Sequence, residues 1–296
     1  MLGSWVALWM AGVAWAEVDP RCQGIPKPED YDEQVQGDFQ ANYFALSTSF
    51  SPIHAAVPHE GGRGSIGVDA KVIPPLSCER RFVLDWTKTE DTNKSPVLPQ
   101  IVGSVSLPAF AKGRVVPYVG FGFFPAIPFN GTRNYVLSGE LGLGVHAHRF
   151  LDVGARYHGT MIRTYGDIAT AFNPEEEPAV EDVFVGSTWG IDALLSVPVP
   201  VKGHLLTPFL AVGYLDASTF FLVGDDRYVA NNLHPYAGAA LSAGLDMLLA
   251  KRLRLGGELY AAPGGHSLPD KEASSVEPGS RYGRLVTGRF RIGYEF

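Results

Sequence analysis

The chain ends with Gly283–Phe296, which reads G-R-L-V-T-G-R-F-R-I-G-Y-E-F. In a β-strand, successive side chains point to opposite faces of the sheet. As a strand, this stretch would have one apolar face and one face that carries two arginines and a glutamate. The apolar face consists of Val286, Gly288, Phe290, Ile292, Tyr294 and Phe296, and the other face carries Leu285, Thr287, Arg289, Arg291, Gly293 and Glu295.

The same alternation recurs along most of the chain, in apolar segments that turn residues separate. Each segment is long enough for a tilted transmembrane β-strand of about 9–11 residues, whereas no apolar run after the first 20 positions is long enough for a membrane helix. The predicted strands are Phe39–Phe50, Ser65–Ile73, Arg80–Thr89, Val97–Phe110, Arg114–Pro125, Asn134–Ala147, Leu151–Thr164, Val183–Val197, Leu205–Phe221, Pro235–Leu249, Leu253–Ala261 and Tyr282–Phe296.

A chain of alternating strands that stops on an aromatic carboxy-terminus resembles a bacterial outer-membrane β-barrel protein. The resemblance implies an all-β fold, a closed antiparallel transmembrane barrel of about 12 strands, in the outer membrane of a Gram-negative bacterium. It also implies contact with outer-membrane lipids and lipopolysaccharide. The barrel-assembly machinery of such a bacterium reads the final strand, here through Phe290, Ile292, Tyr294 and Phe296.

The connections between the predicted strands alternate in length. Outer-membrane barrels have short periplasmic turns and longer extracellular loops, so we assign the short connections to the periplasmic side. The short ones are Lys112-Gly113, His148–Phe150, Pro198–His204 and Ala250–Arg252, and the longer ones are Ala126–Arg133, Tyr165–Asp182, Leu222–His234 and Ala262–Arg281.

A soluble barrel would show the same alternation with its polar face outward, and that face would be densely charged. Here the polar face is mostly Gly, Ser and Thr with sparse charges, which favours a polar lumen with lipid outside. The charges assigned to the lumen are either an ion-paired network that fills the barrel or the constriction of a narrow water-lined passage. They are Glu140, Asp152, Arg156, His158, Asp192, Asp246, Arg254, Glu258, Arg289, Arg291 and Glu295.

These features predict a passive, porin-like conduit for small solutes. The alternatives are a sealed structural or surface-interaction barrel and, third, a lipid-modifying enzyme. The net charge of −7 argues against a nucleic-acid partner.

The amino-terminal region divides into two parts before the predicted barrel, 39–296. Residues 1–16 resemble a secretory signal peptide with an A-x-A cleavage site at Ala14–Ala16, although no Lys or Arg precedes Arg21. An uncleaved anchor is the alternative. Residues 17–38 form a polar, Pro-rich periplasmic leader, or else a small plug in the lumen.

Two cysteines are present, Cys22 and Cys78. An even pair in an exported chain favours one disulfide, with two free thiols as the alternative. The strand order places both on the periplasmic side, where the bridge would fix the leader to the barrel rim.

The chain offers little that points to catalysis or to a cofactor. His146 and His148 have a metal-like spacing, but a third ligand is not evident. His158-Gly159-Thr160 only partly matches the His and Ser at i and i+2 used by outer-membrane phospholipases and lipid-A deacylases. The acidic connection Tyr165–Asp182 is a weak candidate for divalent cations. We therefore expect no cofactor, no metal site and no enzymatic activity.

Overall fold

A computed structural model describes residues 20–27, 29, 31–50, 52–83, 88–90, 96–129, 132–166, 168–171, 181–224, 227–263 and 285–296. Residues 1–16, the predicted signal peptide, lie outside the described residues, as does most of the connection Ala262–Arg281.

The described chain contains one α-helix and fourteen β-strands, with short 3-10 turns at Pro20–Cys22 and Cys78–Arg80. The elements in chain order are α1 Glu33–Thr48, β1 Gly64–Val72, β2 Phe82–Val83, β3 Lys88–Glu90, β4 Val97–Ser106, β5 Val115–Phe129, β6 Thr132–His148, β7 Leu151–Gly166, β8 Ala169–Ala171, β9 Asp182–Ser196, β10 Val199–Val201, β11 His204–Val223, β12 Arg227–Leu249, β13 Leu253–Ala262 and β14 Leu285–Glu295.

Ten of the described strands close into an antiparallel barrel. The order around the ring is β1, β4, β5, β6, β7, β9, β11, β12, β13 and β14, and β14 pairs again with β1. Strand β10 pairs only with β11 and lies outside the ring. The closed all-β barrel is as predicted, but the predicted count of about twelve strands is wrong.

Two segments account for the difference in strand number. Most of Phe39–Phe50, predicted to be the first barrel strand, belongs to α1, which ends at Thr48, so the barrel wall begins at Gly64 and not at residue 39. The described residues of Arg80–Thr89 contribute the short strands β2 and β3, which form a small separate sheet with β8 and are not part of the ring. Because two predicted strands are lost together, the number of strands remains even.

Because the number of strands is even, the start of the first strand and the end of the last strand lie at the same end of the barrel. Ser65 lies opposite Glu295, and Lys71 lies opposite Arg289. We call the end with Phe296 the carboxy-terminal rim and the other end the opposite rim. Cys78 follows the far end of β1 and therefore lies at the opposite rim. Its predicted place on the periplasmic side, the side of the carboxy-terminus, is wrong because Arg80–Thr89 is not a strand of the wall, which leaves an odd number of described wall strands after Cys78.

Two of the predicted longer connections are mostly strand. Strand β5 continues to Phe129 and β6 begins at Thr132, whereas β11 continues to Val223 and β12 begins at Arg227. At the opposite rim, the wall strands therefore extend beyond the strands that the apolar pattern predicts.

The two faces of the wall have opposite polarity over the half next to the carboxy-terminal rim. Leu137, Leu141 and Leu143 of β6 are exposed on the outside, whereas Ser138 and Glu140 are buried inside. This is the inversion expected for a barrel that faces lipid. Among the described residues, no helix has both the length and the apolarity to cross a bilayer.

Candidate functional site

The lumen of the barrel is occupied by the chain's own amino-terminal region. Helix α1 contacts β1, β9, β11, β12 and β14 of the wall. Residues 49–63, which we call the strap, run from the end of α1 to the start of β1. Together, α1 and the strap form what we call the plug, which passes from the opposite rim to the carboxy-terminal rim.

Helix α1 ends where the sequence stops supporting a helix. The hydroxyl of Thr48 donates to the carbonyl oxygen of Phe44 at 2.7 Å, and that of Ser49 donates to Leu46 at 2.9 Å. Pro52 follows and cannot continue the backbone hydrogen-bond pattern of a helix. The chain therefore leaves the helix in the middle of the lumen and continues as the irregular strap.

The half of the lumen near the opposite rim is apolar and packs on α1. Phe44 lies 5.2 Å from Phe184 and 6.1 Å from Phe221, measured between ring centroids. Two clusters of buried residues surround the helix. One contains Ala41, Leu98, Val136, Ile162, Ile168, Phe184, Phe221 and Val223, and the other contains Tyr43, Ala45, Leu46, Leu215, Ala217, Tyr236, Ala240, Tyr260, Ala262 and Leu285. Burial of this apolar surface stabilises the plug in the barrel.

A covalent bond and side-chain hydrogen bonds hold the plug at the opposite rim. Cys22 and Cys78 form the predicted disulfide. The amide of Gln36 donates to the carbonyl oxygen of Glu79, and the hydroxyl of Tyr43 donates to that of Pro74. The entrance of α1 is thus joined to the connection between β1 and β4.

Two cations of the wall hold the carboxy-terminal end of α1. The Nζ of Lys71 donates to the carbonyl oxygen of Ser49 at 3.0 Å, and Nη2 of Arg289 lies 3.3 Å from the Ser49 hydroxyl. The last carbonyl groups of a helix lack partners within the helix and carry partial negative charge. Lys71 and Arg289 therefore stabilise the helix end from the side of the wall.

Wall side chains also supply the hydrogen bonds that the strap backbone cannot make within itself. Irregular backbone inside a membrane protein requires such partners. Phe50 N donates to Thr160 Oγ1 at 2.7 Å, and Arg156 Nη1 donates to Pro52 O at 2.6 Å. Further along, Ala55 N donates to Asp246 Oδ2 at 3.3 Å and Ala56 N to Ser196 Oγ at 3.2 Å.

Two histidines of the strap bind carboxylates of the wall. His54 Nε2 lies 3.1 Å from both carboxylate oxygens of Glu140, and its Nδ1 lies 2.7 Å from Ala55 O. His59 lies 3.1 Å from Glu295 Oε2 and 2.8 Å from Ser104 Oγ. The contact between His59 and Glu295 holds the last part of the strap against the wall at the carboxy-terminal rim.

The remaining wall charges form ion pairs across neighbouring strands. Arg156 Nε lies 2.8 Å from Asp192 Oδ2, and Arg291 binds both carboxylate oxygens of Asp69 at 2.7 and 3.0 Å. Arg254 contacts Asp246 at 2.7 Å and Glu295 at 2.6 Å, and Arg289 lies 3.5 Å from Glu258. Arg254 and Glu258, which are near each other in sequence, do not pair. Glu258 lies opposite Arg289, and Arg254 contacts diagonal neighbours on the two adjacent strands.

The structure brings the predicted lumen residues together inside the barrel. All are buried: Glu140, Asp152, Arg156, His158, Asp192, Asp246, Arg254, Glu258, Arg289, Arg291 and Glu295. The residues assigned to assembly, Phe290, Ile292, Tyr294 and Phe296, all point outward and are 57, 57, 46 and 65% exposed.

The residues considered for metal binding or catalysis are engaged elsewhere. His146 Nδ1 lies 2.8 Å from Asp152 Oδ1, and the described residues contain no cluster of three or more metal-ligating side chains. His158 lies 3.2 Å from Asp192, and His158 and Thr160 both face the plug instead of the lipid. The acidic part of the Tyr165–Asp182 connection lies outside the described residues.

Sequence reasoning found several wall charges that hold the plug, such as Arg156 and Glu140, but missed other residues of this network. Lys71 and Asp69 occupy the inner face of β1, and His54 and His59 lie in a segment with no apolar period. One signal for the plug was available. Val136, Ile162 and Phe184 are apolar residues on the inner face, beside apolar residues on the outer face, so the lumen needed an apolar partner there.

No protein-family model matches the chain, and no curated protein matches it. Solved structures with a similar fold include the translocator domain of the autotransporter NalP from Neisseria meningitidis, with 13% identity, a TM-score of 0.41, and 80% of this chain and 90% of that chain covered. The toluene transporter TodX from Pseudomonas putida has 11% identity and a TM-score of 0.32 over 79% of this chain and 67% of that one. Ail from Yersinia pestis has 11% identity and a TM-score of 0.23 over 80% of this chain and 99% of that one. These neighbours are bacterial outer-membrane β-barrels, and the likeness is one of fold alone.

Proposed function

We propose that this chain is an outer-membrane β-barrel that its own plug seals, and that it anchors a binding surface at the opposite rim. The single observation that carries this proposal is the occupied lumen. The wall charges that a conduit would present to passing solutes instead bind the plug, as Arg156 binds Pro52 and Glu140 binds His54.

The proposed binding surface is built at the opposite rim. There β3 pairs with β8, which joins the connection after β1 to the connection between β7 and β9. The Cys22–Cys78 bridge attaches the leader to the same region. A rim whose described parts are joined by strand pairing and a disulfide, above a sealed barrel, suits a protein whose role is surface interaction. That role is the alternative to the conduit that the sequence predicts.

Conductance in planar bilayers tests the seal. The mature chain with its disulfide formed should give no steady conductance, because both halves of the lumen are filled. A variant that lacks residues 20–62 retains every strand of the barrel and should conduct in discrete steps. Steady conductance of the intact chain at low voltage would contradict the proposal and would restore the conduit.

A further inference from the structure

Lysines occupy unusual positions at the carboxy-terminal rim. Three of the short turns there are Ala111–Arg114, Val201–His204 and Ala250–Arg252, and each has a lysine at or beside its tip. Lys112, Lys202 and Lys251 have backbone φ angles of 61, 43 and 62°.

Positive φ angles are favoured by Gly and Asn and are uncommon for Lys. The turn between Val201 and His204 has two residues, and turns of this length normally carry Asn-Gly or Asp-Gly. The backbone therefore gives no reason for lysine at three separate turn tips. Ala111 and Ala250, in two of the same turns, also have positive φ angles, so the charge and the position of the lysines, and not the backbone angle alone, indicate a function.

Other exposed cations complete a basic ring around this rim. The described turns between barrel strands, residues 107–114, 149–150, 197–203 and 250–252, contain no aspartate or glutamate. Within the described part of the chain, Lys112, Lys202 and Lys251 form no ion pair. The strap also carries an exposed glutamate at this rim, Glu60, which lies 3.6 Å from Arg63. Further exposed carboxylates lie at the opposite rim, namely Glu29, Asp32, Glu33, Glu79 and Glu181.

The ring lies directly beside the apolar outer face. The Arg149 guanidinium lies 4.4 Å from the centroid of the exposed Phe150 ring. Arg252 Nη1 donates to the hydroxyl of Tyr294 at 2.8 Å, and Tyr294 is on the outer face. Aromatic residues with cations beside them are typical of the boundary between hydrocarbon and headgroups.

We propose that this basic ring binds the phosphate groups of anionic phospholipids in the leaflet at the carboxy-terminal rim. A leaflet surrounds the barrel on every side, which fits cations distributed over all the turns, whereas a protein partner would require one patch. Lysine and arginine near a membrane surface attract anionic headgroups. The inference requires only that the barrel spans a bilayer, and it does not depend on whether the lumen is sealed.

Spin-labelled lipids test this proposal on the full chain reconstituted in phosphatidylcholine vesicles. Labelled phosphatidylglycerol should be retained at the protein surface about fivefold or more over labelled phosphatidylcholine. Added salt should reduce this preference, because salt screens exposed charges.

Two matched triple variants separate charge from backbone effects. Asparagine accepts positive φ better than lysine, so the variant with Lys112→Asn, Lys202→Asn and Lys251→Asn should fold and should lose most of the preference. The variant with arginine at the same positions should keep it. Equal retention of the two lipids by the unmodified chain, or an unchanged preference in the asparagine variant, would overturn the proposal. Equal retention of the two lipids would indicate that the basic ring binds an acidic soluble partner instead of lipid.

Discussion

The Nη1 atom of Arg156 donates a hydrogen bond of 2.6 Å to the carbonyl oxygen of Pro52, and its Nε binds Asp192 at 2.8 Å. One wall residue thus joins the strap to two strands of the barrel. The sequence assigned Arg156 either to a constriction or to an ion-paired network. In the structure, Arg156 holds the plug in place.

Replacing Arg156 should destabilise both the plug and the wall. Arg156→Gln removes the bond to Pro52 and leaves Asp192 buried without its main cation, which should cost about 3–5 kcal/mol of unfolding free energy. Denaturant titration in detergent measures this cost, and planar bilayers should show intermittent conductance as the strap detaches. Arg149→Gln, at an exposed turn, is the control and should change neither. An Arg156→Gln variant as stable as the parent would contradict the assigned contact.

Gly144 should tolerate no side chain, because the strap lies against it. A Cβ at Gly144 would lie 2.5 Å from the carbonyl oxygen of Ala56, closer than atoms approach without displacement. Gly144→Ala should therefore cost about 1–3 kcal/mol of unfolding free energy. Gly139, in the same strand, is the matched control, since its Cβ would meet only Gly120 O at 3.8 Å. Equal stability of the two alanine variants would place the strap elsewhere.

Much of the wall could be predicted from sequence because lipid outside and polar groups inside impose a period of two on each strand. The plug could not be predicted in the same way. Phe39–Phe50 has apolar residues at both two-residue and helical spacings, so the pattern alone fits either element. The strap, which contains Pro52 and Pro58, has no period at all. Its course is fixed by wall side chains that are distant in sequence.

The cysteine count predicted the bond correctly, but the predicted order of strands gave its location wrongly. The pairing of Cys22 with Cys78 required only an even count and an oxidising compartment. The rim at which the bridge lies depended on the number of wall strands between Cys78 and the carboxy-terminus, and the predicted strand Arg80–Thr89 is not part of the wall. An error in one element thus moved the bridge to the other side of the membrane.

Loss of the disulfide should loosen the entrance of the plug without opening the barrel. The Cys22–Cys78 bridge spans 56 residues, and removing it should lower the free energy of unfolding by about 2–4 kcal/mol. Because the strap contacts remain, the Cys22→Ser/Cys78→Ser variant should still give no steady conductance. Thermal unfolding and bilayer recordings on the same preparation measure both effects. An open channel on loss of the bridge alone would mean that the strap contributes little to the seal.

The aromatic residues that pack on α1 should contribute more to the stability of the plug than the lipid-facing residues of the same barrel do. Phe221 is fully buried against Phe44, and Phe221→Ala should cost about 3–5 kcal/mol of unfolding free energy through the cavity it leaves. Limited proteolysis should then cut within residues 33–48 at a higher rate. Leu259, 66% exposed on the outer face, is the control, and Leu259→Ala should leave this rate unchanged. The same rate in both variants would contradict packing of α1 against Phe221.

The course of the plug is the central claim, and protease access on intact cells of a Gram-negative host tests it most directly. A protease site inserted before Pro20 should be cut by enzyme added from outside, because the plug enters the barrel at the opposite rim. A second site, inserted between Arg149 and Phe150 at the carboxy-terminal rim, should be cut only after the outer membrane is permeabilised. Protection of the first site on intact cells, with cleavage only after permeabilisation, would contradict a plug that enters the lumen at the opposite rim.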